Sequence, residues 1–235
     1  MNTIGVVGGI GPESTIDYYR AMIGIYRERQ PDGSYPSMVI NSIDANRLIN
    51  MFIGNQLDAA TDVLVHAIEV LAAAGARCAI IAANTPHIVF DDVQRRSPLP
   101  LVSIVQATCD AAKALGLTRL GLFGTRFTMQ GRFYPDVFAR AGMTIAVPEP
   151  EEQAYIHDKY MAELLKGVLI DETRNALIGI AARMKERAGV DAIILGGTEL
   201  PLILRERTAA GIPLLDTTQI HARAIIEFAM AQATA

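Results

Sequence analysis

The chain is short of several things, and each shortage narrows its class. Of 235 residues only two are cysteine, Cys78 and Cys109, and none is tryptophan. Two thiols cannot form a disulfide framework, and neither stands in a metal-type spacing with another Cys or His, so no metal is expected. No apolar run approaches the ~18 residues that a membrane helix needs. The chain opens directly on strand-like "TIGVVGG" rather than on the basic and apolar regions of a cleavable leader, so a cytoplasmic location is expected. Basic clusters are also missing. The net charge is −4, and short stretches such as "RMKER" read as solvated helix faces, which argues against a nucleic-acid partner.

What is present is an alternation. "TIGVVG", "SMVINSI", "CAIIAA", "LPLVSIV", "RLGLFG", "MTIAVP", "DAIILG" and "IPLLDT" read as strands, apolar nearly throughout. Helical periods such as "ESTIDYYRAMIGIYRERQ" and "ATDVLVHAIEVLAAAG" lie between them, and Gly75, Gly116, Gly142 and Gly189 mark helix ends. Continuous apolar strands separated by helices predict parallel sheets covered on both faces, an α/β fold.

The pattern also repeats. "GARCAIIAANTPH" (75–87) resembles "GVDAIILGGTELP" (189–201), and "LPLVSIVQATCDA" (99–111) resembles "IPLLDTTQIHARA" (212–224). Ala79 to Ala192 is 113 positions, and Pro100 to Pro213 is again 113. A shared displacement over two separated stretches points to two similar halves. In such halves, ligands meet the carboxyl ends of the strands, where helix N-termini offer free N–H groups. Four loops fit that description, "GGIGPES", "AANTPH", "GTRFT" and "GGTELP", and their composition suits a small carboxylate.

The first loop invites a dinucleotide reading because Gly9 and Gly11 fall in a G-x-G pattern. Glu13 argues against it: a carboxylate in the first helical turn repels the pyrophosphate that would lie there. Pro12 followed by Glu13 is an ordinary helix start, and no G-x-x-x-x-G-K-[ST] occurs. Among the histidines, His66 reads as a structural mid-helix residue and His157 as either solvated or ligand-facing, while His221 opens a helix. His87 is the candidate base. It lies in the first turn after a strand, where a helix N-terminus favours the neutral imidazole.

"GVVGGIGPESTIDYYR", "ANTPH", "LGLFGTRFTM", "IHDKYMAELLKG", "ILGGTELPLIL" and "IPLLDTTQIHARA" together resemble, in order and over essentially the whole chain, the cofactor-independent aspartate/glutamate racemases. The resemblance implies two α/β domains with parallel sheets related by pseudo-twofold symmetry. It places a cleft between them, requires no cofactor, and implies a homodimer. The expected first domain is 1–104 plus 211–235, and the second is 105–210. In that family two cysteines face the substrate's α-carbon from opposite sides, one thiolate removing a proton and one thiol supplying it. The matching positions here are Ala83 and Gly197, neither of which can hold a proton. Cys78, five residues upstream of Ala83 on an extended strand, would lie roughly 16 Å away, and Cys109 falls in a helix. Neither substitutes for the missing thiols.

By the same resemblance, Asn84, Thr85, Thr198 and Glu199 match positions that hold the substrate's carboxylate and amino groups. Ile10 and Thr125 match pocket walls. Lys166 matches a basic residue for a side-chain carboxylate, and Arg47 is a second candidate for that role. Helix capping is the alternative for Thr85 and Thr198, and a helix C-terminal charge is the alternative for Lys166. Three readings follow. In the first, the fold carries altered, one-sided proton transfer through His87 or Glu199. In the second, it is a non-catalytic binder of a small dicarboxylate. In the third, it is a racemase carrying substituted cysteines.

Overall fold

A computed structural model describes residues 1–30 and 32–232. The chain divides into two compact units, 1–104 with 221–235 and 105–220.

The first unit begins with β1 (Ile4–Gly8), α1 (Pro12–Arg29), β2 (Met38–Ser42), α2 (Ala45–Ile53), α3 (Leu57–Ala73) and β3 (Cys78–Ile81). A 3-10 turn over Thr85–Val89, α4 (Phe90–Arg96) and α5 (Ile104–Ala114) follow, and α5 carries the chain into the second unit. The strands pair in parallel in the order β2-β1-β3. Every residue of β1 and of β3 is buried, as a parallel sheet covered on both faces requires. Ile4, Val6, Cys78 and Ile80 pack with Tyr18, Met22 and Ile25 of α1 and with Ile225 and Ile226. Each such side chain contributes about 1.5–3 kcal/mol when fully buried.

The second unit contains β4 (Arg119–Gly124), α6 (Arg126–Gln130), α7 (Phe133–Arg140), β5 (Thr144–Ala146) and α8 (Pro150–Ala162). After a 3-10 turn over Leu164–Lys166 come α9 (Asp171–Ala188), β6 (Ala192–Gly196), α10 (Leu200–Ile203), β7 (Thr208–Ala209) and β8 (Ile212–Asp216). Then α11 (Thr217–Ala231) returns the chain to the first unit. The strand order is β5-β4-β6-β8-β7, parallel except for the antiparallel β7–β8 pair. Local signals set the helix ends. Pro150 starts α8, where the Glu149 N–H donates to the Glu152 carboxylate at 3.1 Å. Gly189 closes α9 at φ 60°, a left-handed conformation that suits glycine.

Two expectations are corrected here. "LPLVSIV" forms no full strand. Ala79 donates to the Pro100 carbonyl and Val102 donates to that of Ala79, but a single parallel bridge joins Leu101 to Ala79 before α5 begins. Pro98 and Pro100 lack the N–H groups that a longer ladder needs. Residues 211–220, expected with the first domain, lie in the second unit because β8 pairs with β6 through Ile193–Leu214.

Candidate functional site

The strand-end loops of each unit are built locally. In the first unit, β1 runs into "GGIGPES". The Gly9 N–H donates to Thr15 Oγ1 at 2.9 Å, and that hydroxyl donates onward to the Gly11 carbonyl at 3.3 Å. The loop closes on itself and spends an amide that a phosphate site would use. Gly9, at φ 81°, has no room for a side chain, since a Cβ there would lie 2.6 Å from Ser42 Oγ. Ile10 is buried beside this turn.

At the end of β3, Ala83 and Asn84 are buried and Thr85, opening the 3-10 turn, is half-buried. His87 lies beneath them with both ring nitrogens engaged. Nδ1 is 3.0 Å from the Ala83 carbonyl, which can only accept, so Nδ1 carries the proton. Nε2 receives the Ile104 N–H at 3.2 Å and is therefore the acceptor. The ring also stacks on Phe90, centroids 4.8 Å apart. Burial first, and then the neighbouring His221, lower its pKa to about 3. His87 is thus neutral, as expected, but its lone pair is already committed to a backbone N–H. That corrects its reading as an available base. His221 is held in the same manner: Nε2 donates to the Val102 carbonyl at 2.8 Å, and Nδ1 takes the Tyr18 hydroxyl at 2.9 Å. Burial lowers its pKa to about 4.

In the second unit, Thr125 caps α6, its Oγ1 accepting the Thr128 N–H at 3.3 Å. The end of β6 carries Gly197, Thr198 and Glu199, and both polar residues are about 1% exposed. Glu199 Oε2 receives a hydrogen bond from Tyr160 Oη and another, at 3.1 Å, from Thr198 Oγ1. Thr198 therefore orients a carboxylate rather than simply capping the short α10. Burial first, and then the Glu199 carboxylate, hold the Tyr160 phenol well above its ordinary pKa.

Tyr160 is the residue that the sequence reading missed. A Cβ added to Gly197 would run into Tyr160 Cε2 and would lie 2.8 Å from its hydroxyl and 2.9 Å from Cζ. The space a side chain at 197 needs is occupied by the phenol. The available signal was a glycine among buried neighbours, which leaves a volume that some large side chain must fill.

The two basic candidates are both exposed. Lys166 is exposed at the end of its 3-10 turn, just before Gly167, the placement of a C-terminal helix charge. Arg47 is exposed on α2 and lines an open groove of about 530 Å³ with Asp44, Asp62 and His66. None of Ile10, Ala83, Asn84, Thr85 or His87 lines that groove. His66 itself is solvent-exposed on α3. His157 accepts the Arg126 N–H at 3.2 Å. Both thiols are buried, Cys78 opening β3 and Cys109 within α5. Burial raises Cys78 to about 11 and is the main cause raising Cys109. Among the described residues no group of His, Cys, Asp and Glu forms a metal cage, and no helix is long and apolar enough to cross a membrane.

Each unit is a parallel α/β layer with polar residues in the loops at its strand ends, Asn84 and Thr85 in the first and Thr198 and Glu199 in the second. Residues 7–225 match the Asp/Glu/hydantoin racemase family, and the chain belongs to it. It is similar to a solved aspartate racemase homologue from Pyrococcus horikoshii, with 34% identity, a TM-score of 0.84, and coverage of 98% of this chain and 100% of that one. It is 23% identical to the broad specificity amino-acid racemase RacX of Bacillus subtilis, over 95% of this chain and 96% of RacX. Glutamate racemase of Mycobacterium ulcerans is 29% identical over 60% of this chain, a match spanning 52% of that enzyme.

Proposed function

We propose that this chain binds a small amino-acid-like carboxylate, aspartate or glutamate being the model ligands, and does not racemise it through two thiols. The observation that carries the reading is the chemistry of positions 83 and 197. By resemblance these are where the family's cysteines stand, and here they are Ala and Gly. Neither can take or give a proton at a substrate carbon. The polar residues expected around them, Asn84, Thr85, Thr198 and Glu199, are present at strand ends. Relatives named as amino-acid racemases support the ligand class.

One-sided proton transfer is favoured over symmetric inversion, because inversion requires a donor and an acceptor on opposite faces of one carbon. The engagement of both His87 nitrogens favours a second reading, a binder without turnover. Thermal-shift titration with the D- and L-forms of both amino acids, alongside chiral chromatography of long incubations, tests the proposal. The expected result is ligand-dependent stabilisation with no appearance of the opposite enantiomer. Rapid D/L interconversion by the unmodified chain, or no stabilisation by any small amino or hydroxy acid, overturns it.

A further inference from the structure

We infer that Tyr160 is the proton-transfer residue of this protein, working with Glu199 as a phenol–carboxylate relay from the space a side chain at position 197 would fill. The inference rests on the amino-acid-like ligand proposed above, and it assigns chemistry to a residue that the thiol comparison leaves out. Geometry is the first support. The phenol oxygen lies 2.8 Å from where a Cβ on residue 197 would stand. A proton-carrying oxygen thus sits within bonding reach of the point from which a thiol would have projected.

The second support is the pairing. Tyr160 donates to Glu199 Oε2, which Thr198 also orients at 3.1 Å, although the two residues lie 39 positions apart. Burying a carboxylate is costly, and a Leu–Phe pair would fill this volume at lower cost. The third support is protonation state. Burial first, and then the neighbouring Glu199, hold the phenol well above its ordinary pKa, so at neutral pH it keeps the proton that the relay passes on.

The step balances. The substrate Cα–H bond breaks, leaving its electron pair on carbon, and the proton goes to Tyr160 Oη. The original Oη–H bond breaks at the same time, and that proton goes to Glu199 Oε2. The negative charge moves from Glu199 to the substrate; the proton on Tyr160 Oη is then replaced by one from water, and reversal returns that solvent proton to the same face of the carbon. By the family resemblance the second proton carrier belongs to position 83, and the alanine there can hold no proton. The signature is exchange of the α-hydrogen with solvent and retention of configuration.

The full chain is incubated in heavy water with each enantiomer of aspartate and glutamate, and the α-proton is followed by NMR beside chiral chromatography. One enantiomer is expected to lose its α-proton signal without inversion. Tyr160→Phe lowers that exchange by about 100-fold or more while ligand-induced thermal stabilisation persists, and Glu199→Gln, which also alters a group expected to hold the ligand, lowers the exchange as well. Site-specific 3-fluorotyrosine at position 160, a phenol of lower pKa, moves the pH profile of exchange toward lower pH, a shift that a packing role alone would not produce. Undiminished exchange in folded Tyr160→Phe, or absent exchange with binding intact, overturns the relay alone. Absence of binding by any of these acids overturns the ligand assignment and the relay together.

Discussion

Residue 197 is a glycine for reasons of space. The residue is not in the left-handed region, so its backbone would accept a side chain; the obstacle is the Tyr160 ring. Gly197→Ala is therefore expected to cost about 1–3 kcal/mol, the range for forcing a methyl into a filled core. With Tyr160→Ala the obstruction is gone, and the same glycine substitution should cost close to nothing. Urea unfolding of the four proteins in this cycle measures the coupling, and simple additivity would mean that the ring does not occupy the position. The cycle also bears on restoring a thiol. A cysteine at 197 must displace Tyr160 before its sulfur can reach a ligand, so Gly197→Cys paired with Ala83→Cys should not by itself produce racemisation.

At the scale of elements, two buried histidines pin the strand-end turns of the first unit. His87 ties the 3-10 turn to Ala83 and to the first amide of α5, and His221 ties α11 to α1 and to the Val102 carbonyl. Both have folded pKa values well below the ordinary 6.5, at about 3 and about 4. Below pH 6.5 the unfolded chain binds protons that the folded chain refuses, so stability falls with falling pH. The loss runs from 6.5 down to about 4 for His221 and on to about 3 for His87, at about 1.4 kcal/mol per pH unit for each. Urea melts between pH 7 and 4.5 should show this slope, and His221→Asn should remove one histidine's share of it. A wild-type slope near zero across that range would mean that one or both rings titrate normally.

Elements were largely legible in the sequence because their causes are local. The apolar runs of β1, β3 and β6, the proline starts of α1 and α8 and the glycine that closes α9 each act within a few residues. The two-residue β7 carries no pattern, and the prolines that shorten "LPLVSIV" were outweighed by its apolar residues. Site chemistry was less legible because its partners are distant along the chain. The acceptor role of His87 is set by an amide 17 residues away, and Tyr160 meets a carboxylate 39 residues on. Thr198 and Glu199 could be placed at a strand end, but the phenol that meets Glu199 there could not.

Over the whole molecule, the two units share a plan. β1 lies between β2 and β3, β4 lies between β5 and β6, and the bridge at Leu101 stands to β3 as β8 stands to β6. The offset of 113 positions seen in the sequence joins Ala79 of β3 to Ala192 of β6, so the repeat is one of sheet topology as well as of residues. A duplicated plan of this kind could present two thiols symmetrically, yet the sulfurs in this chain are placed elsewhere. Cys78 opens a buried strand and Cys109 lies inside a helix; each is about 1% exposed, and each has its pKa raised chiefly by burial. A thiol in that state presents little thiolate and little surface to a reagent. The native chain should therefore resist iodoacetamide at neutral pH, whereas urea unfolding should release two reactive thiols per chain. Replacing both cysteines with serine should leave ligand-induced stabilisation and α-hydrogen exchange in place. Fast labelling of either thiol in the folded chain, with loss of exchange in parallel, would return sulfur to the reacting centre and remove the case for a phenol there.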